Sequence, residues 1–211
     1  MHRFDPPLTL LIVDDHFVFR AGLRAVLSLR KDFKVVAEAD DAAEALAAFR
    51  EHRPALTLMD LRMPGESGVQ AVRAIRAEFP DARIVMLTTY DGDEDIHQAL
   101  SAGASGYLLK SVPGPELLLA IEAAGRGERY IPPEVQRRLA ERAAFGELTD
   151  REREVLPLVV KGLTNKDIAR VLKFTEFTAK AHVRSLIAKL GAADRTELVA
   201  IAVQRGLVHL D

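Results

Sequence analysis

The 211-residue sequence contains no cysteine. Disulfide bonds, thiolate metal sites and cysteine nucleophiles are therefore excluded. The sequence also lacks any apolar run of the roughly 18–20 residues that a membrane-spanning helix needs. The apolar run at 8–13 is too short for the core of a signal peptide, and two aspartates follow it directly. We therefore expect a cytoplasmic protein that does not insert into a membrane, which is compatible with the lack of cysteine.

Net charge is also small, but it is distributed unevenly along the chain. The total is −2, and residues 1–146 hold 18 basic and 22 acidic residues, whereas residues 147–211 hold 11 and 9. Seven of the basic residues fall within 161–189. An acidic first part and a basic segment near the end predict two domains with different partners. The length is sufficient for each domain to bury its own core.

Short apolar runs alternate with helical patterns in the first part of the chain. The runs are at 8–13, 34–39, 55–59, 83–89 and 106–110, and the helical patterns are at 17–30, 41–52, 67–79, 93–102 and 115–125. Most of the runs are continuous, which is typical of parallel strands buried on both faces. In 17–30 the apolar face is expected to include Phe19, Leu23 and Val26. The alternation predicts an α/β domain over residues 1–127, with a doubly wound, five-stranded parallel sheet of the flavodoxin type.

The pattern changes after residue 127. Residues 128–147 are expected to form a linker with a short helix at 134–144, since Gly and Pro interrupt the chain before it. Residues 148–211 show only helical patterns and predict an all-α, four-helix domain with a helix–turn–helix. Thr149 and Glu152 have the spacing of a capping box. Pro157 lies inside the first of these helices and is expected to bend or break it.

Polar side chains follow the predicted strands at one edge of the sheet. Asp14 and Asp15 follow the first strand, Asp60 the third, Thr88 ends the fourth, and Lys110 ends the fifth. Alone, each has an ordinary role, such as a helix cap or a surface lysine. Together they predict one cleft in which carboxylates bind Mg²⁺ and handle a phosphoryl group, with Asp60 as the nucleophile. The histidine at position 16 is left out of this set.

Four segments of this region resemble the receiver domain of bacterial two-component response regulators. They are DDH at 14–16, MDLRMPGESG at 59–68, LTT at 87–89 and GASGYLLK at 103–110. The resemblance implies that Asp60 accepts phosphate from a histidine kinase. It implies that Asp14, Asp15, Asp60 and the main-chain carbonyl of Arg62 bind Mg²⁺.

The same resemblance implies a conformational switch. Thr88 would move toward the phosphoryl group and Tyr107 would turn inward behind it, although a tyrosine in such a position, taken alone, is more often an ordinary core aromatic. Arg62 and Tyr90, two residues beyond Asp60 and Thr88, occupy positions that vary among receivers and influence dephosphorylation.

The helical pattern at 176–190 has one inward face and one exposed face with Lys180, Ala181 and Arg184. Small residues and long cations on an exposed helix suit a DNA major groove, although a solvated helix carries them as well. The segments at 148–172 and 178–207 resemble the NarL/FixJ (LuxR-type) output domain. The resemblance implies that these three residues read DNA, that Asn165 and Lys166 contact phosphate, and that the last helix, 194–205, forms a dimer contact. Two residues depart from the usual family pattern. Ala179 stands where the family usually has valine, and Phe177 stands where polar residues are common.

The sequence therefore predicts a phosphorylation-controlled transcription regulator that dimerises on activation and binds an inverted repeat in double-stranded DNA. Two alternatives remain open. One is an aspartyl-phosphate phosphatase or phosphotransferase of the haloacid-dehalogenase type, but Arg62 stands where that type needs a second aspartate. The other is constitutive DNA binding with an idle receiver.

Overall fold

The structure, a computed structural model, describes residues 4–89, 92–143 and 147–208. The chain divides into two compact units: residues 1–91 with 96–136, and residues 92–95 with 137–211. Tyr90 lies outside the described residues. Among the described helices, none is long and apolar enough to cross a membrane.

The first unit is built on a five-stranded parallel sheet, as the sequence predicts. Its strands are β1 (Leu8–Val13), β2 (Phe33–Ala39), β3 (Leu56–Met59), β4 (Ile84–Thr88) and β5 (Gly106–Leu109). The strand order is β2-β1-β3-β4-β5, and every neighbouring pair is parallel. The order reverses beside β1, so the carboxyl ends of β1 and β3 are adjacent at the switch point where such sheets bind ligands.

One helix follows each strand of this sheet. The helices are α1 (Phe17–Ser28), α2 (Ala42–His52), α3 (Gly68–Glu78), α4 (Asp93–Ser101) and α5 (Gly114–Gly125). Leu10, Ile12, Leu58 and Leu108 belong to the buried core under them. The prediction of the buried apolar face of α1 is only partly right, because Val26 is 39% exposed.

The second unit is helical. A linker helix, α6 (Pro133–Ala143), precedes α7 (Asp150–Val160), α8 (Asn165–Leu172), α9 (Glu176–Leu190) and α10 (Arg195–Gln204). The last four share a core that includes Val155, Ile168, Leu186 and Leu198.

Short polar residues begin these helices, as their spacing predicts. Thr149 and Glu152 form the predicted capping box at the start of α7, and Thr175 caps α9. Gly191 ends α9 in the left-handed conformation. The expected break at Pro157 does not occur, because α7 runs through it to Val160. The ring removes one donor from the helix, and Val155, Leu156 and Val159 remain buried around it.

Candidate functional site

The candidate cleft lies where β1, β3 and β5 end. Val13 pairs with Met59 in the sheet register, so Asp14 and Asp60 leave neighbouring strands at the same level. Lys110 follows β5, and its Nζ lies 2.6 Å from Asp14 Oδ2 and 2.7 Å from Asp60 Oδ2. One ammonium therefore bridges carboxylates from two strands.

Asp60 is held at both oxygens. Its Oδ1 accepts a hydrogen bond from the main-chain N–H of Leu61 at 2.7 Å, and its Oδ2 accepts one from Lys110. Burial raises the pKa of the Asp60 carboxyl, and the negative charge of Asp14 adds to this against the opposing effect of Lys110. Burial lowers the pKa of Lys110, but its hydrogen bonds to Asp14 and Asp60 outweigh this and raise it. A buried, partly compensated carboxylate is a suitable oxygen nucleophile.

Asp15 and His16 complete an acidic group with Asp14 and Asp60, and one ligand atom from each lies within 4.8 Å of the others. His16 was left out of the predicted set, yet its Nδ1 is 2.8 Å from Asp15 Oδ1. By formal count, the three carboxylates and one ammonium carry a net charge of −2. Oxygen donors with this net charge fit a hard divalent cation such as Mg²⁺.

The cleft has a volume of about 610 Å³. Its described lining residues are His16, Val18, Phe19, Asp60, Arg62, Thr89, Lys110 and Ser111. Thr88 ends β4 and is fully buried, and its carbonyl accepts the main-chain N–H of Lys110 at 2.7 Å. Tyr107, on β5, is also fully buried.

Two residues support the cleft in ways that the sequence did not indicate: Arg20 was not singled out, and Phe19 was predicted only as part of the apolar face of its helix. Arg20, on α1, donates to the main-chain carbonyl of Asp14 and pairs with Asp40 at 2.7 Å and Glu38 at 3.2 Å. It is 7% exposed, so this cation is built into the fold beneath the acidic loop. Phe19 lies one position earlier, and its ring centroid is 4.6 Å from Lys110 Nζ.

The candidate nucleic-acid surface is on α8 and α9. Lys180, Ala181 and Arg184 are exposed, and so is Lys166 near the start of α8. Asn165 is half-buried, and its Oδ1 accepts a hydrogen bond from Arg195 Nη1 at 3.1 Å. The described surface of this unit therefore presents the predicted cations to solvent, with Asn165 tied to the start of α10.

An ionic cluster around the buried Glu152 joins α7 to α9. Glu152 accepts hydrogen bonds from Lys189 Nζ at 2.7 Å, Ser185 Oγ at 2.7 Å and the Thr149 N–H at 2.8 Å. Burial opposes ionisation, but these bonds prevail and lower the pKa of Glu152 to about 2. The cap predicted from sequence is thus also a contact between two helices.

Models of known protein families match both units. The response regulator receiver domain matches residues 10–122, and the luxR family of bacterial regulatory proteins matches residues 146–202. The response regulator protein VraR of Staphylococcus aureus is 37% identical over 207 residues, which cover 96% of this chain and 99% of that protein.

Solved structures show the same likeness. A LuxR-family two-component response regulator from an Aurantimonas species is 40% identical with a TM-score of 0.63, over 65% of this chain and 99% of that one. RcsB from Salmonella enterica serovar Typhimurium was solved bound to a promoter in the presence of the phosphate mimic BeF3−. It is 26% identical with a TM-score of 0.73, over 93% of this chain and 98% of that one.

Proposed function

The chain belongs to the bacterial response regulators that join a receiver domain to a LuxR-type DNA-binding domain, and we propose that a phosphoryl group on Asp60 controls its binding to DNA. The bridge from Lys110 to Asp14 and Asp60 is the observation that carries this proposal. We assign residues 1–127 to the receiver, 128–147 to the linker and 148–211 to the output domain. A DNA-binding regulator of bacteria is expected in the cytoplasm.

Phosphoryl transfer follows from the position of the Asp60 carboxylate. A carboxylate oxygen attacks the phosphorus of a phosphohistidine in the partner kinase. A P–O bond forms while the P–N bond breaks, and the histidine leaves as the neutral imidazole after its leaving nitrogen takes up a proton from solvent. Lys110 Nζ, already 2.7 Å from Asp60 Oδ2, is placed to offset charge on the phosphoryl oxygens.

Asp14, Asp15, Asp60 and the carbonyl of Arg62 would hold Mg²⁺. When bound, the ion supplies positive charge that stabilises the phosphoryl oxygens. Main-chain hydrogen bonds from His16 N at 2.9 Å to Asp14 and from Leu61 N at 2.7 Å to Asp60 hold these two carboxylates in the cleft.

The phosphoryl group then acts through Thr88, at the end of β4, and Tyr107, on the neighbouring strand β5. We propose that the Thr88 hydroxyl turns toward the phosphoryl oxygens and that Tyr107 settles behind it. The new charge would thereby bias a two-state element and favour a dimer. Hydrolysis of the phosphoryl group returns the protein to its unphosphorylated state. The protein therefore acts only on its own aspartyl phosphate and turns over no other substrate.

DNA binding is assigned to α9 and the start of α8. Lys180, Ala181 and Arg184 enter the major groove, and Asn165 and Lys166 contact phosphates at a helix N-terminus. A two-fold dimer, with α10 at the contact, would match an inverted repeat.

The test is phosphorylation with a small phosphodonor and Mg²⁺, followed by intact-mass measurement. Wild type gains the mass of one phosphoryl group and Asp60→Asn does not. Asp81→Asn, an exposed aspartate outside the cleft lining, should behave as wild type. If Asp60→Asn gained the same mass, Asp60 would not be the acceptor.

A second measurement addresses control. DNA affinity at a stated salt concentration should rise when BeF3− and Mg²⁺ are added, because the mimic occupies the place of the phosphoryl group. Equal affinity with and without BeF3− would instead support constitutive DNA binding.

A further inference from the structure

Among the residues of the helical unit that the structure describes, Phe177 is the large hydrophobic residue with the most exposed side chain. It lies in the first turn of α9 and is 83% exposed. Nearby Phe174 shows the contrast, because it is half-buried, packs against the core of this unit, and has its ring centroid 5.6 Å from the ring of His182. A single exposed apolar residue is common on protein surfaces. The position of Phe177 on α9, however, indicates a specific role for its exposed ring.

Phe177 shares one stripe of α9 with the residues assigned to DNA. Positions three, four and seven apart lie on the same side of a helix, so Phe177 precedes Lys180, Ala181 and Arg184 along that side. All four are exposed. The opposite side packs into the core, where Ala179, Val183, Leu186 and Leu190 are buried. The ring is therefore held away from the core by the same packing that presents the cations.

The start of α9 also positions the ring. Thr175 caps the helix by accepting the N–H of Thr178 at 3.1 Å, so regular helix begins before Phe177. The N-terminal residues of a recognition helix are those that contact base edges. Ala181, one turn later, is small enough to let this part of the helix approach the bases closely.

From this arrangement we propose that Phe177 is a specificity-determining residue that contacts the C5 methyl group of a thymine in each half-site. The proposal rests on the function proposed above. The thymine methyl is the apolar feature that the major groove displays, and an aromatic ring is one of the side chains that contact it. Lys180 beside the ring favours DNA over an apolar protein partner, because a protein interface core is depleted of lysine.

The experiment uses the full chain with BeF3− and Mg²⁺, and selects binding sites from random double-stranded DNA at one stated salt concentration. Wild type should enrich a site with an invariant thymine in each half. Phe177→Ala should still enrich the remaining positions, but the base at that position should become variable. Phe177→Leu, which keeps an apolar side chain, should retain part of the preference.

The methyl contact itself is tested by replacing each invariant thymine with deoxyuridine, which removes only the methyl group. Replacement of the thymine that contacts Phe177 in one half-site should weaken wild-type binding about fourfold. This factor corresponds to the free energy of burying one apolar carbon. The same replacement should leave the affinity of Phe177→Ala unchanged. The thymine and Phe177 would then be coupled.

The other outcomes overturn the proposal in distinguishable ways. If wild type enriches no sequence, the proposed function fails together with the inference. If Phe177→Ala enriches the same thymine and loses as much affinity with deoxyuridine as wild type, the inference alone fails. If Phe177→Ala weakens binding to every sequence equally and lowers dimerisation measured by sedimentation, the ring makes a protein contact, and the inference is again wrong.

Discussion

A Cβ atom at Gly68 would lie 1.9 Å from the main-chain carbonyl oxygen of Asp60. The N–H of Gly68 also donates to the Leu61 carbonyl at 2.8 Å, so the first residue of α3 is packed directly on the segment that carries Asp60, the proposed phosphoryl acceptor. The φ angle of Gly68 does not lie in the left-handed region. Glycine is therefore required at this position only because a larger residue would not fit. The loop after β3 thus depends on a residue eight positions away.

Gly68→Ala is expected to lower the free energy of unfolding by about 1–3 kcal/mol, because the methyl group forces the backbone apart. Displacement of Asp60 should also slow phosphorylation by a small phosphodonor. Urea denaturation and the phosphorylation rate measure the two effects. Gly22→Ala is the matched control, since nothing lies within 4 Å of its Cβ and it is exposed on α1. That control should gain about 0.5–1 kcal/mol. Equal behaviour of the two variants would contradict the packing argument.

Thr57 is expected to tolerate loss of its hydroxyl. It is fully buried in β3, and no described residue gives its Oγ1 a hydrogen-bond partner. A buried hydroxyl without a partner costs about 1–3 kcal/mol. Thr57→Val, which keeps the shape, should therefore raise the free energy of unfolding by about 1 kcal/mol. Urea denaturation measures the change.

Thr9 on β1 is the matched control for this substitution. Its Oγ1 accepts the N–H of Ala55 at 2.9 Å. Thr9→Val removes that bond and should lower the free energy of unfolding by about 1 kcal/mol. If both valine variants moved stability in the same direction, the difference in hydrogen bonding would not explain it.

The strands and the helix caps could be predicted because their signals are local. The apolar run at 8–13 is β1 without a change of boundary, and Thr149 caps α7 as the spacing requires. The prediction that Asp14 and Asp60 lie close together needed only one further rule, the reversal of strand order beside β1.

The remaining features depend on contacts between distant segments. Arg20 looks like an ordinary helix cation, and its burial appears only when Asp40 from the end of β2 is beside it. The approach of Gly68 to Asp60 leaves no periodic signal. Pro157 was expected to interrupt α7, but burial of the surrounding helix face outweighs the loss of one hydrogen bond.

Arg20 is expected to position the loop that is proposed to bind Mg²⁺. Its contacts with the Asp14 carbonyl and with Asp40 hold the backbone that presents Asp14 and Asp15. Residues that orient metal ligands typically contribute ten- to a hundredfold in affinity, so Arg20→Met should weaken Mg²⁺ binding by about tenfold or more. Isothermal titration calorimetry measures the affinity on the folded variant.

Arg24→Met is the control for Arg20. Arg24 pairs with Glu38 at 2.9 Å from an exposed position on α1 and does not reach Asp14. It should bind Mg²⁺ as wild type does. Removal of a positive charge by itself favours a bound divalent cation, so general electrostatics predicts equal or tighter binding in both variants. If Arg20→Met bound Mg²⁺ as tightly as Arg24→Met does, Arg20 would have no positioning role.

Glu152 is expected to make the helical unit sensitive to acid. Its pKa in the folded protein is about 2, below the ordinary value of 4.5, so the folded state favours the ionised carboxylate. The resulting stabilisation is therefore complete above about pH 4.5 and is lost as the pH falls toward 2. A shift of this size corresponds to about 3 kcal/mol. Glu152→Gln should remove this stabilisation at neutral pH while conserving the side-chain volume.

The measurement is hydrogen exchange of α7 and α9 in the full chain between neutral pH and pH 3, corrected for the intrinsic exchange rate. Wild type should lose protection as the pH falls, and Glu152→Gln should begin with lower protection that changes less with pH. Glu154→Gln is the control, because Glu154 is exposed and its pair with Arg151 contributes under about 1 kcal/mol. Protection in Glu152→Gln equal to that of the control would show that the bonds to Lys189 and Ser185 do not stabilise the α7–α9 contact.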